Sequence, residues 1–402
     1  MTEKSKRLID QDCASILNLY QRLPIHIVRG EGSLLYDDEG QAYLDLFSGI
    51  AVNNLGHGHP AIKDAIHHQI EKHMHLSNYF ASEPVINLAE TLVKHSFASK
   101  VFFSNSGTEA IEAAIKLARK YGLSKDSNKT ELLSFEGSFH GRSTGGMTLT
   151  GQTRYKEAFK PNLPNVSHVQ FDDVVDLNRK VSDHTCAFFI EIIQGEGGVT
   201  EVSSSFMDEL IRLSKKHDFL IIVDEIQTGL GRAGDLFAYE KYDFTPHALT
   251  LAKSLGGGLP LGALLVAPEL EHILVPGDHG STFGGNPVSC AAGNAVLSII
   301  TSDGFLDEVR KKSAYLLNRL SELSRRYPHH IKEVRGRGLI IGVEMHHDYA
   351  TKIKDEALKH HLLLNVTHGN VLRLLPALNI RQDELDSFLD ILEICIQYIL
   401  SE

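Results

Sequence analysis

Short apolar runs that alternate with stretches of helical period constrain the fold of this chain more than any other feature. Between residues 55 and 290 the apolar runs are KVFFSN, ELLSFE, CAFFIEII, FLIIVDEI and LGALLVAP. Runs of this length suit buried strands, and the stretches between them suit helices. Because strands that alternate with helices build a mainly parallel sheet covered by helices, the sequence predicts an α/β fold.

The two ends of the chain have other patterns. Residues 31–54 contain apolar bursts split by DDEG, which is typical of a β-hairpin. After Gly304 come helical repeats, the strand-like runs GLIIGVEM and VLRLLPAL, and a closing amphipathic helix. A hairpin is too small to hold a core alone, so we expect it to pack on this tail. The prediction is a large domain over 55–290 and a small discontinuous α+β domain formed by 1–54 with 291–402.

Composition limits the partners of the chain. Its 402 residues and 42% hydrophobic content allow two domains with a large core. The net charge of −11 repels phosphate backbones and anionic lipids, so we expect no nucleic-acid or membrane partner. The charged N-terminal stretch does not resemble a signal peptide, and no C-x-x-C spacing joins the cysteines. We therefore expect a cytoplasmic protein.

The stretch KVFFSNSGTEAIEAAIKLARKYG has the features of a phosphate cradle. A strand ends near Ser106, Gly107 lets the backbone approach a ligand, and a helix begins near Thr108. Free N–H groups and the positive dipole end at a helix start bind phosphate. An ordinary N-cap formed by Ser106 or Thr108 explains the same residues, so both interpretations stay open.

The stretch FLIIVDEIQTGLGRAG places two carboxylates, Asp224 and Glu225, at the end of an apolar strand. Such a pair fits the metal-and-water site of an ATPase, but that site also needs a G-x-x-x-x-G-K-[ST] loop. None of the 33 glycines is followed by lysine, which opposes the ATPase interpretation. Asp224 can instead hold the ring nitrogen of a cofactor, and we expect Glu225 to support the strand end.

Two further stretches contain side chains that can react with a ligand or bind it. Lys253 lies between an apolar segment and three glycines, where an amine can lose its proton and form a Schiff base with an aldehyde. Phe139 and Arg142, which flank His140 in GSFHGRSTGGMTLTGQ, suit ring stacking and forked binding of a carboxylate. Considered singly, a solvated lysine and a surface loop explain them equally well.

Taken together, these groups meet the needs of pyridoxal phosphate. The cofactor requires a phosphate cradle, an aromatic plate, an activatable lysine and a carboxylate that faces its pyridine nitrogen. That carboxylate keeps the ring protonated, so the ring can accept the electrons released when a Cα–H bond breaks. Asp224 is the candidate for this role.

Eight blocks along the chain resemble those of a known family. They are SGIAVNNLGHGHP, NSGTEA, FHGR, QGEGG, VDEIQTGLGR, LAKSLGGGLPLGA, HGSTFGGNP and NVLRLLPAL. In this order they resemble the class III, fold-type I pyridoxal-phosphate aminotransferases over nearly the whole chain. The resemblance implies pyridoxal 5'-phosphate as cofactor and a large α/β domain with a mainly parallel seven-stranded sheet flanked by helices.

The resemblance also implies roles for the cofactor residues. Lys253 would bind the aldehyde and later move the reacting proton, and Asp224 would pair with the ring nitrogen. Gln227 would lie near the phenolic oxygen, and Phe139 would stack on the ring. The residues implied to hold the phosphate are Ser106, Gly107 and Thr108. Those implied to reach the cofactor site of a neighbouring subunit are Ser281 and Thr282, so a homodimer with shared active sites is expected.

The same resemblance implies two kinds of substrate at one site. Arg142 would bind the carboxylate remote from the reacting carbon. Arg373 would take the α-carboxylate of 2-oxoglutarate, and Glu196 would mask it while the amine donor reacts. Ile50 stands where ornithine enzymes carry tyrosine, which leaves room for an acylated α-nitrogen. We therefore expect transfer of the terminal amino group of N2-acetylornithine to 2-oxoglutarate.

Alternatives remain at this stage. Succinylornithine, succinyldiaminopimelate, ornithine and 4-aminobutyrate are other donors, and pocket shape rather than motif separates them. An aminomutase shares the fold but usually carries serine in place of Thr108. A binding protein that keeps the cofactor without turnover is opposed by the intact Lys253 and Asp224. We interpret the histidine-rich HGHPAIKDAIHHQIEKHMH as a solvated helix face and expect no metal site.

Overall fold

The computed structural model describes residues 2–401. Strands and helices alternate in the middle of the chain, and further strands and helices lie towards its two ends. The helices within residues 2–401 are α1 (Glu3–Ser15), α2 (Ser48–Ala51), α3 (Pro60–Lys72), α4 (Glu83–Lys94), α5 (Gly107–Lys125), α6 (Thr144–Leu149), α7 (Val174–Lys180), α8 (Ser204–His217), α9 (Pro287–Ile300), α10 (Phe305–Arg326), α11 (Tyr349–Lys359) and α12 (Gln382–Ser401).

The strands of the first two thirds of the chain are β1 (Ile27–Glu31), β2 (Leu34–Asp37), β3 (Ala42–Asp45), β4 (Lys100–Ser104), β5 (Glu131–Phe135), β6 (Val166–Val169), β7 (Thr185–Ile190), β8 (Ile193–Gln194), β9 (Thr200–Glu201), β10 (Leu220–Asp224), β11 (Ala248–Leu251) and β12 (Gly262–Val266). Those of the last third are β13 (Ile331–Arg337), β14 (Ile340–Met345), β15 (Leu362–Leu363), β16 (Asn365–Thr367) and β17 (Val371–Leu374).

The central sheet has seven strands in the order β4-β12-β11-β10-β7-β5-β6. All five apolar runs of the sequence form strands of it, and only β12 runs antiparallel to its neighbours. The segment between β11 and β12 is too short for a helical crossover, so β12 folds back beside β11. The predicted mainly parallel α/β sheet is therefore confirmed.

Strand β10 shows how the sheet is buried on both faces. Successive side chains of a strand point to opposite faces. Leu220 and Ile222 join the core beneath α5, whereas Ile221 and Val223 join the core on the other face. A strand covered in this way needs a continuous apolar sequence, which explains the run FLIIV.

The N-terminal hairpin is joined to the tail. Strands β1, β2 and β3 form an antiparallel sheet, and β15 adds to β3 in parallel. Leu44 and Leu46 share a hydrophobic core with residues of α10, α11, α12 and the β13-β14-β17-β16 sheet. The division of the chain at residues 54 and 290 stays a prediction. Among the helices described here, none is both long and apolar enough to cross a membrane.

Candidate active site

Loops that follow the strands of the central sheet line one cavity. Its empty space, including the part that opens to solvent, is about 460 Å³. The predicted site residues that line it are Gly107, Thr108, Phe139, Glu196, Asp224, Gln227 and Lys253. Because parallel strands end at one edge of the sheet, residues far apart in sequence meet there.

The start of α5 forms one wall of this cavity. Ser106 is the N-cap, and its Oγ accepts the Glu109 N–H at 3.3 Å, so the capping interpretation is correct for Ser106. Gly107 and Thr108 nevertheless line the cavity. A Cβ on Gly141, which has φ +125°, would lie 2.4 Å from Thr108 Oγ1. Two close backbone segments and a helix start thus offer a place for a phosphate.

Asp224 is held at the bottom of the cavity by three hydrogen bonds. Its Oδ2 lies 2.8 Å from His140 Nδ1, and its Oδ1 accepts from the Ile226 N–H at 3.0 Å and Thr250 Oγ1 at 3.2 Å. Burial lowers the pKa of His140, but the hydrogen bond and charge of Asp224, with the charge of Glu191, raise it overall. His140 therefore fixes one carboxylate oxygen and adds positive charge behind it.

Glu225 faces away from the cavity. Its carboxylate accepts from Thr228 Oγ1 at 2.7 Å and from the Tyr239 N–H at 2.9 Å. Burial raises the pKa of Glu225 to about 7. These contacts tie together the loop after β10, and they give Glu225 a structural role rather than a catalytic one.

Lys253 lies two residues after the end of β11 and lines the cavity. Its φ of +48° is left-handed, a conformation that costs a non-glycine residue free energy and occurs mainly at functional sites. Burial lowers the pKa of Lys253 to about 8, the charge of Glu196 opposes this shift, and Arg373 adds to it. A neutral amine is therefore accessible near physiological pH.

Arg373 is linked to the same cavity by Glu196 and Gln227, which line it. Its Nη1 lies 2.5 Å from Glu196 Oε1 and donates to Gln227 Oε1 at 3.1 Å. Its Nε and Nη2 donate to Asn365 Oδ1 at 3.1 Å and 2.7 Å. Burial raises the pKa of Glu196, but the charge and hydrogen bond of Arg373 lower it overall, so Glu196 is ionised at neutral pH. The structure brings Arg373 and Glu196 together as predicted.

Arg142 lies beside this cavity with an exposed side chain. Its guanidinium carbon is 4.1 Å from the ring centroid of Tyr155 and 5.6 Å from that of Phe139. Within residues 2–401, no carboxylate forms an ion pair or hydrogen bond with Arg142. Arg142 is thus aligned by aromatic rings and free to bind an anion.

Ser281 and Thr282 do not line the cavity of their own chain. Ser281 Oγ accepts from Asn105 Nδ2 and from the Gly284 N–H, both at 3.0 Å. Thr282 is exposed. Thr282 is therefore placed to contact a cofactor only in the cavity of a second copy of the chain.

Two features of the site were not predicted from the sequence: the pairing of His140 with Asp224, and the place of Glu191 in the cavity wall. The pairing of His140 with Asp224 joins residues separated by 84 positions, and no spacing rule announces it. Glu191 lines the cavity, accepts the Phe139 N–H at 2.9 Å, and has a pKa raised by burial to about 7. The signal for Glu191 was present, because a charge interrupts the apolar run CAFFIEII.

The histidine-rich stretch falls largely on α3, where His67 and His68 are exposed. Across residues 2–401 there is no group of three or more His, Cys, Asp or Glu side chains arranged to hold a metal ion.

Comparison with known proteins places this cavity in a family context. A sequence model described as Aminotransferase class-III matches residues 17–396. The acetylornithine aminotransferase of Caldanaerobacter subterraneus subsp. tengcongensis is 46% identical over 94% of this chain and 96% of its own length. That of Aquifex aeolicus is 44% identical over 94% of this chain and 98% of its own length.

Solved structures agree with this match. The N-acetylornithine aminotransferase of Stenotrophomonas maltophilia superposes with a TM-score of 0.84 at 34% identity, covering 98% of this chain and 99% of that one. The ornithine aminotransferase of Toxoplasma gondii superposes with a TM-score of 0.94 at 28% identity, covering 100% of this chain and 96% of that one.

Proposed function

Because the chain belongs to the class-III aminotransferase family, we propose that it transfers the terminal amino group of N2-acetylornithine to 2-oxoglutarate. The products are N-acetylglutamate 5-semialdehyde and glutamate, and the step belongs to arginine biosynthesis. Support for this donor comes from curated acetylornithine aminotransferases 44–46% identical over 94% of the chain. The single observation that carries the proposal is the presence of Lys253 and Asp224 in one cavity beside a helix start.

The cavity fits pyridoxal 5'-phosphate, the cofactor of this family. A Cβ on Gly141 would crowd Thr108, and a Cβ on Gly107 would crowd Ile226, so both glycines keep this part of the cavity open. When bound, the cofactor supplies a ring that accepts the electrons of the broken Cα–H bond. Asp224 Oδ2, oriented by His140, keeps a proton on the ring nitrogen. Further contacts proposed with the cofactor come from Ser106 and Thr108 at the phosphate, Phe139 at the ring face, Gln227 at the phenolic oxygen, and Thr282 of a second copy.

Lys253 is the proposed acid and base. With the cofactor bound, its neutral Nζ would hold the aldehyde, and once released by a substrate amine the same Nζ would take the proton from the amine-bearing carbon. The lowered pKa of Lys253, about 8, suits both roles, because the amine gains and loses a proton near neutral pH.

Glu196 and Arg373 are proposed to let one site accept both substrates. The donor N2-acetylornithine places its only carboxylate far from the reacting amine, where Arg142 can bind it. Glu196 meanwhile neutralises Arg373. When 2-oxoglutarate follows, its second carboxylate lies next to the reacting carbon, so Glu196 swings aside and Arg373 binds that carboxylate.

We also propose a cytoplasmic homodimer with shared active sites. Segments 74–80 and 281–283 form one surface, since Asn78 Nδ2 donates to the Ser281 carbonyl at 2.8 Å and the His75 and Phe283 rings lie 5.3 Å apart. Tyr79 on this surface is 95% exposed. Large apolar patches of this kind usually mark interfaces. A second copy here would bring Ser281 and Thr282 towards its neighbour's cavity.

Free ornithine is the second candidate donor, because the ornithine aminotransferase of Toxoplasma gondii superposes on 100% of the chain. Ile50, 36% exposed with φ +62°, favours an acylated donor in place of a free α-amino acid.

A half-reaction panel tests the choice. The cofactor-loaded enzyme is mixed with N2-acetylornithine, N2-succinylornithine, ornithine or 4-aminobutyrate, and the loss of the cofactor's visible absorbance is timed. N2-acetylornithine should react fastest per unit concentration. Faster reaction with ornithine would overturn the proposed donor.

A further inference from the structure

Arg232 is a fully buried arginine that the proposed chemistry does not use. It is 0% exposed, and its side chain donates hydrogen bonds to neutral oxygens. Its Nε has no hydrogen-bond partner in the part of the chain described. Burying a guanidinium without a carboxylate is costly, so its contacts require an explanation.

The contacts of Arg232 join it to three other segments of the chain. Its Nη1 donates to the carbonyls of Leu339 at 2.8 Å and Pro376 at 2.6 Å, and its Nη2 donates to Asn54 Oδ1 at 2.6 Å. The Arg232 carbonyl in turn accepts the Leu339 N–H at 2.9 Å. The adjoining backbone is tight, since a Cβ on Gly338 would lie 2.4 Å from that carbonyl.

Two of these contacts flank β17, which carries Arg373, and its paired strand β14. Leu339 immediately precedes β14, and Pro376 follows shortly after β17. Within the paired strands, Arg373 lies opposite Gly342. Arg232 itself lies in the loop after β10, which also contains Gln227, and Asp224 is the last residue of β10.

We propose that Arg232 is a positioning residue for Arg373 and sets the distance between the α-carboxylate site and the cofactor cavity. Arg232 thereby governs recognition of 2-oxoglutarate, because this substrate must occupy the α-carboxylate site and the cofactor cavity at the same time. This inference rests on the proposed function, and it has a selective consequence. N2-acetylornithine is held by Arg142 while Arg373 stays paired with Glu196, so the donor half-reaction does not depend on this distance.

The test compares the half-reactions of Arg232→Met, Arg232→Lys and a control, Arg337→Met. Arg337 also joins separate segments, through Glu201 at 2.9 Å and Asp235 at 2.8 Å, but it does not contact Leu339 or Pro376. We expect the donor half-reaction of Arg232→Met to stay within about twofold, and the specificity constant for 2-oxoglutarate to fall roughly 10- to 100-fold. Arg232→Lys should show a smaller selective loss and Arg337→Met none.

Glutarate provides a readout without turnover. It carries both carboxylates but no carbonyl, and its binding to the pyridoxamine form is measured by calorimetry. Arg232→Met should weaken it by about tenfold or more. Equal losses in both half-reactions, unchanged use of 2-oxoglutarate, or failure of both Arg232 variants to fold would overturn the inference. Failure of the wild-type enzyme to react with N2-acetylornithine would overturn the proposed function instead, and glutarate binding would still decide the role of Arg232.

Discussion

Glu196 and Arg373 form an ion pair at 2.5 Å in which the arginine side chain is 1% exposed. The same arginine nitrogen donates to Gln227, and the opposite edge of the guanidinium is held by Asn365. Asn365 thus fixes the plane of the guanidinium, while Glu196 occupies the end that faces the cavity. Arg373 is therefore the fixed side chain of the pair, and Glu196 is the side chain that can move.

Removing the movable member should change donor choice. In Glu196→Ala, Arg373 keeps its neutral partners but loses its carboxylate partner, so during the first half-reaction it attracts a carboxylate beside the reacting amine. We expect the preference for N2-acetylornithine over glutamate as amine donor to fall about tenfold or more. The measurement is the ratio of the two half-reaction rates, and an unchanged ratio would show that Glu196 does not mask Arg373.

Arg142 should serve both substrates. Arg142→Ala removes the anchor for the remote carboxylate, so KM for N2-acetylornithine and KM for 2-oxoglutarate should rise together, each about tenfold or more. Steady-state kinetics with both substrates varied provide the check. If neither KM changes, the anchor lies elsewhere.

The pKa of Lys253 predicts how cofactor uptake depends on pH. Only the neutral amine attacks an aldehyde, and burial lowers the pKa of Lys253 to about 8. The fraction of neutral amine therefore increases as pH rises through about 8. The rate of pyridoxal phosphate uptake by the apoenzyme should rise over the same interval, and a midpoint near the ordinary lysine value would contradict the proposed environment.

His140 should support Asp224 without being needed for the fold. His140→Ala leaves Asp224 with the Ile226 and Thr250 contacts but removes the 2.8 Å partner of Oδ2. We expect weaker cofactor retention and a rate of proton removal about tenfold lower. Dialysis followed by absorbance measures retention, and His67→Ala on the exposed face of α3 is the matched control. Equal behaviour of the two variants would remove His140 from the site.

Much of the fold could be predicted because burial on both faces leaves a continuous apolar signal. The runs that became β4, β5, β7, β10 and β12 are of this kind. Strand β6 was not identified, because its four residues include Ser167 and His168. The antiparallel direction of β12 was also not predicted, since apolarity does not specify strand direction.

The site could be predicted where chemistry lies next to a strand or helix end. Asp224 ends β10, Gly107 begins α5 and Lys253 comes shortly after β11, so the neighbouring sequence indicates all three. The partners of these groups come from distant segments. His140, Asn365 and Arg232 act through contacts that depend on how strands and loops are assembled, and a single sequence contains no direct record of them.

The central claim is that Lys253 binds the cofactor aldehyde while Asp224 faces the ring nitrogen. Borohydride makes the link between an aldehyde and a lysine permanent, so reduction of the cofactor-loaded enzyme followed by peptide mass spectrometry tests the claim most directly. The account predicts a pyridoxyl phosphate adduct on the peptide that contains Lys253. A saturated enzyme with Lys253 unmodified, or with the adduct on another lysine such as the buried Lys129, would contradict it.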